Sequence, residues 1–331
     1  MKRKLIWLIV IAGLIPPMIA HAHVKWFASV EPEKVNIEEI LSPFFITISV
    51  LCAVILAVLS QVMGRVMDIP FASKIDLKLD SFRKYSRQLL KYGTAVSFIL
   101  QVSYGTMFAP EFTIHNTWQR VVMWIIIIFL LIPYHIATKI AAVFMLGLFI
   151  QIWSDSGWFH MLDYGFYLAI IGVLLVGKTR FETVGFPFLY LGTGLSLCWV
   201  AVEKWVYPTM TIDIIHHHYV PTFGFEAGIF VVLSAFIEFV VGYLLVVGIL
   251  NRVLAVVVTI LFILTTMIFG YTEVVGHAMI HIVLLIFIIE GVSFYHPPIK
   301  IHKTRMDQMI FVSLNFLFVL STFLLIYYRF A

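Results

Sequence analysis

Apolar residues run along this chain in ten stretches, near 41–63, 92–109, 119–136, 139–153, 163–177, 187–206, 226–249, 253–270, 276–294 and 309–328, separated by short polar turns. A bilayer-spanning helix needs about 20 apolar residues. The longer runs therefore predict spans directly, and the shorter ones predict spans whose edges are soft. The expected fold is all-α: a polytopic membrane bundle of about ten transmembrane helices after an N-terminal signal peptide.

Composition supports this pattern. Of the 331 residues 62% are hydrophobic and only 12% charged, with a mean hydropathy of +1.02, whereas soluble domains hold roughly 45–50% apolar and 25% charged residues. The lipid bilayer is the expected partner. A net charge of +4 does not point to nucleic acid, because the basic residues are scattered among turns and no nucleic-acid motif is present. Cys52 and Cys198 lie in separate apolar runs and form no C-x-x-C, and no haem-attachment or flavin motif occurs.

The first 22 residues combine basic Lys2, Arg3 and Lys4, a short apolar core, Pro16-Pro17 and the small-x-small sequence Ala20-His21-Ala22. This is the pattern of a signal peptide. Cleavage after Ala22 would make His23 the mature N-terminus. An uncleaved leader would be an anchor that still delivers His23 to the outer face.

Threading ten spans from an outer N-terminus puts fourteen of the nineteen basic residues beyond the leader on the cytoplasmic side. That agrees with the positive-inside rule, which played no part in drawing the spans. The expected location is the cytoplasmic (inner) membrane, with the mature N-terminus on the periplasmic side. Residues 64–91 form the one sizeable cytoplasmic loop and read as a basic amphipathic helix on the inner leaflet.

The chain also repeats itself weakly. "YGTAVSFILQVSYGTMFAPEF" resembles "LGTGLSLCWVAVEKWVYPTM", aligning Gly93-Thr94 with Gly192-Thr193, and "TKIAAVFMLGLFIQIW" resembles "NRVLAVVVTILFILTT", aligning Lys139 with Arg252. Two readings stay open: shared apolar composition, or two tandem four-helix units in parallel orientation. The resulting division is 1–22 leader, 23–91 exported segment with first span and basic loop, 92–185 first unit, 186–294 second unit and 295–331 C-terminal span.

Ionisable groups inside spans cost at least about 2.5–3.5 kcal/mol at mid-depth, so each asks for a partner or a purpose. Most fall in the second unit. Glu203 and Lys204 sit near the outer end of the sixth span, and Glu238 lies at mid-depth in the seventh. In "YTEVVGHAMIH" the spacing of Glu273, His277 and His281 advances a helix by 400° per step. The three drift only about 40° each time and descend about 6 Å, forming a stripe inward from the outer surface. Glu290 is half a circle away. The matching positions of the first unit are His160, Tyr164 and Leu168, so the stripe is mostly absent there.

The histidines gather on the same side. His23, His216, His217 and His218 join His277 and His281 at the outer face. Imidazoles with carboxylates are ligands for copper and zinc, and a free N-terminal His23 could chelate copper with its own amine. Other readings stay open. The His277/His281 pair can serve hydrogen bonding between helices, the triple histidine can be a solvated loop, and Glu203-Lys204 can be an interfacial ion pair.

"LGTGLSLCWVAVEKW", "IEFVVGYLLVVGILNRVLA" and "YTEVVGHAMIH" together resemble the DoxX family of four-helix membrane proteins over about residues 186–292. The resemblance places Lys204, Glu238 and Arg252 on the family's polar positions. It implies electron transfer to membrane quinone, with Glu203, Lys204 and Glu238 handling protons or a quinone. The sequence thus carries three expectations: a transition-metal site (copper, or zinc) built on His277, His281 and Glu273 and served by a periplasmic metal or redox partner; a quinone-linked oxidoreductase subunit; or a membrane scaffold.

Overall fold

Lipid offers no hydrogen bonds to a bare backbone, so a chain this apolar must satisfy its peptide groups internally, and helices do that within one segment. The computed structural model describes residues 26–67, 70–248, 251–291 and 304–331 and is helical throughout, with no sheet among those residues. The predicted signal peptide and His23 lie outside the described residues. In chain order the main helices are α1 (Pro43–Met67), α2 (Pro70–Asp80), α3 (Ser86–Tyr104), α4 (Thr117–Leu131), α5 (His135–Ser156) and α6 (Gly165–Val176). They continue as α7 (Gly185–Val206), α8 (Pro208–His217), α9 (Ala227–Val247), α10 (Asn251–Phe269), α11 (Tyr271–Glu290) and α12 (Arg305–Phe330).

Seven of these, α1, α5, α7 and α9 to α12, are long and apolar enough to cross a membrane, and α4 and α6 are shorter apolar helices. The molecule is therefore a helical, multi-pass membrane bundle. α7 and α11 are the most deeply packed of the seven, whereas α10 and α12 turn most of their surface outward.

The helices pack as two groups that also interlock. α3, α4, α5 and α6 pack in sequence and α3 closes on α6; α7 packs on α9 and α10 on α11. The two groups then exchange contacts, α6 against α7 and α11 against α3. Glycines set both crossings. A Cβ on Gly93 would fall 2.4 Å from Ile282 of α11, and one on Gly192 would fall 2.6 Å from Ala169 of α6. Gly93 aligns with Gly192, and Ile282 with Ala169 under the Lys139/Arg252 offset, so each contact is the counterpart of the other. α7 and α9 meet backbone to backbone: a Cβ on Gly194 would meet the Gly242 carbonyl at 2.6 Å, and one on Gly242 would meet the Gly194 carbonyl at 2.7 Å. Small residues at such crossings let backbones touch where lipid gives no hydrophobic drive for association. α1 and α12 pair with each other and lean on α7 and α9.

The helix ends form two chemically different layers. One, the histidine-rich end, gathers Trp26, His160, Asp213 and His277; the other, the basic end, gathers Arg83, Arg87, Lys91, Lys178 and Arg252. At the basic end α2 is fastened by its acids rather than its lysines. Arg252 binds Asp76, reaches Asp80 at 2.7 Å and donates to the Ile288 and Ile289 carbonyls at 2.8 and 2.9 Å. Gly291 has φ +63 and leaves room for that guanidinium, since a Cβ there would fall 2.2 Å from Arg252 Nε. Lys74 and Lys78 remain exposed. Arg252→Ala should free α2: losing even one charged hydrogen bond of about 1.5 kcal/mol raises the open population about tenfold. Limited proteolysis at residues 74–85 should quicken by at least that factor; an unchanged rate would show that α2 is held by other contacts.

Candidate functional site

α10 and α11 are joined by one residue, Gly270. Its φ of +69 lies in the left-handed region that side chains rarely adopt, and the reversal there lays Phe262 and Thr265 of α10 against Glu273, His277 and His281 of α11. The Thr265 hydroxyl donates to Glu273 Oε1 at 2.6 Å, and His277 Nδ1 lies 3.1 Å from the same oxygen. Phe262 stacks on the His277 ring at 4.5 Å and presents its edge to His281 at 5.9 Å. Glu273 is 3% exposed. The stripe therefore faces a protein neighbour, not lipid.

The N-terminal segment covers it. The Trp26 indole sits 5.3 Å from the His277 ring and fills the space above Gly276, where a Cβ would come within 1.9 Å of its ring. Its Nε1 donates to Tyr164 Oη at 3.3 Å. Tyr164 in turn donates to Glu111, whose Oε1 lies 3.2 Å from His160 Nε2. The repeat offset pairs Tyr164 with His277, so Trp26 touches matching positions of both groups. The first group's polarity is thus greater than the sequence indicates: Glu111, from the α3–α4 loop, completes a buried Glu-His-Tyr cluster. Buried Gln101 adds a bond between the groups, donating to the Val275 carbonyl at 3.0 Å.

The triple histidine divides. His218 turns inward, 5.8 Å from Phe27 and 5.1 Å from Phe269, while Phe27 stacks on Phe269 at 4.4 Å. An aromatic and imidazole row thus runs from His218 through Phe269, Phe27 and Trp26 to His277, Phe262 and His281. His217 pairs with Asp213 at 2.7 Å, and the other oxygen of Asp213 accepts from the Ser29 amide at 2.7 Å, tying down the N-terminal segment. His216 is exposed.

Glu203, Lys204 and Glu238 stand apart from this row. Glu203 points into the bundle, where Tyr327 of α12 donates to it at 3.1 Å. Burial, and then the Glu203 carboxylate, push the neighbouring Tyr207 phenol up to about 12. Lys204 faces a different neighbour and pairs with Glu238 at 2.5 Å. Adjacent residues of a helix differ by 100°, which separates the two. Among the described residues no three His, Cys, Asp or Glu side chains stand close enough to share a metal ion. The chain matches no known family model, no curated protein and no solved structure.

Proposed function

We propose that this chain is a ten-span protein of the cytoplasmic membrane, made of two related four-helix units plus α1 and α12, that binds a transition-metal ion at its periplasmic, histidine-rich end. In this reading α3, α4 and α6 supply the three spans beyond the seven long apolar helices. The observation that carries the metal assignment is the His277–Glu273 contact, with His281 one turn further along the same face. A carboxylate beside an imidazole is an arrangement that recurs at metal-ligating histidines.

The described residues fit such an ion only in part. His277 and His281 offer two nitrogens with Glu273 behind them, one or two donors fewer than a closed tetrahedral site requires. A further donor would come from His23, three residues before Trp26 in the sequence, while His216, His217 and His218 would recruit the ion. Copper is the first choice and zinc the second, because imidazole with carboxylate suits both. A DoxX-type quinone role would rest instead on Lys204 and Glu238, and quinol turnover that persists in metal-stripped protein would support it.

Trp26 supplies the test. Its contact with His277 means that bound Cu(II) would quench its fluorescence, so titrating the purified protein should quench the part of the emission that Trp26→Phe removes. Imidazoles coordinate only when neutral, so the apparent affinity should weaken as the medium is acidified through pH ~6.5. Equal quenching in the wild type and Trp26→Phe would place any copper elsewhere.

A further inference from the structure

At the basic end, α3, the α4–α5 turn and the end of α6 enclose a recess of about 210 Å³. Pockets for drug-sized ligands run about 300–1,000 Å³, so this one suits a single small group. Its charged lining is cationic, Arg87 and Lys91 from α3 and Lys178 just beyond α6, and Gln88, Thr138 and the His135 imidazole complete the polar lining. No carboxylate lines it.

Arg87 is already shared, with Nε 2.9 Å from Glu182 Oε1 and Nη1 donating to the Val173 carbonyl at 2.9 Å. Lys91 differs. It is 8% exposed and donates to the Ile132 carbonyl at 2.5 Å, which occupies one of its three N–H groups. Among the described residues no carboxylate pairs with the Lys91 or Lys178 ammonium; Glu182, the partner of Arg87, accepts from the Lys178 backbone amide at 2.9 Å. The N-terminus of α5, 22 residues long and without a side-chain cap, adds its free N–H groups and positive dipole end. Lys178 also holds a left-handed φ of 55, a conformation that ordinarily favours glycine. The second group handles the comparable place differently: at the end of α11, Asp76 and Asp80 of this chain neutralise Arg252.

We propose that the recess binds the phosphate of an anionic lipid headgroup. Phosphate chemistry follows from two lysine ammonium groups without carboxylate partners in one recess at a helix N-terminus. The lipid source follows from position, because the recess opens where apolar helices end and Tyr92 and Tyr134 stand exposed at its rim, the level at which membrane proteins carry aromatic belts. Basic pockets between spans are known receivers of such headgroups.

Native mass spectrometry of the full chain in detergent, with phosphatidylglycerol or phosphatidylcholine added, tests this. One phosphatidylglycerol should be retained per chain and phosphatidylcholine should not. Lys178→Glu, on an exposed side chain, should keep the wild-type Tm yet lower retention at least about fivefold, and Lys91→Met should lower it similarly. Equal retention of both lipids, or wild-type retention by Lys178→Glu, would overturn the proposal. Complete displacement of the lipid by millimolar inorganic phosphate would overturn the lipid source and assign the recess to a soluble anion.

Discussion

Gly194→Leu is expected to be the most damaging single change in the bundle. A side chain there meets the Gly242 carbonyl at 2.6 Å and the Val246 amide nitrogen at 3.1 Å, and neither can step aside without parting α7 from α9. Overpacking that side chains can absorb costs about 1–3 kcal/mol. A clash against backbone should reach the top of that range or pass it, about 3 kcal/mol or more. Thermal unfolding in detergent should show a large fall in Tm, and Gly242→Leu should behave alike, because the two glycines share one crossing. A wild-type Tm for either variant would show that the helices cross elsewhere.

Gly276→Leu should act locally and with similar force. Its side chain would occupy the volume that the Trp26 indole fills, and Trp26 belongs to an N-terminal segment that can lift where a core helix could not. Losing the docking of a packed tryptophan costs about 3–5 kcal/mol. The segment should detach while the helices stay folded. Three signs should appear together: red-shifted emission from Trp26, measured against Trp26→Phe; faster proteolysis near residues 26–36; and an unchanged helical circular dichroism signal. A shielded Trp26 in Gly276→Leu would contradict the packing described.

The stripe of Glu273, His277 and His281 was legible because helical periodicity alone puts residues four apart on one face. Gly93 and Gly192 stood out in the sequence as aligned glycines, but that each meets another helix, at Ile282 and Ala169, is visible only in the fold. What periodicity cannot give is contact between elements distant in sequence. Trp26 meets His277 across 251 residues, and Glu111 reaches His160 and Tyr164 from a loop with no pattern of its own. Glu203 and Lys204 read as one polar group in sequence but diverge, since adjacent helical positions face different neighbours. α2 looked like a basic surface helix; its lysines are indeed exposed, yet Asp76 and Asp80 do the anchoring, through an arginine 172 residues from Asp80.

Elemental analysis of the purified protein, beside His277→Ala/His281→Ala prepared identically, decides whether the imidazoles beneath Trp26 hold a metal ion. About one copper or zinc per wild-type chain is expected and essentially none in the double variant, with the two metal-stripped proteins showing the same helical circular dichroism signal. Equal metal content in the two, or none in a wild type supplied with copper and zinc at neutral pH, would contradict that expectation.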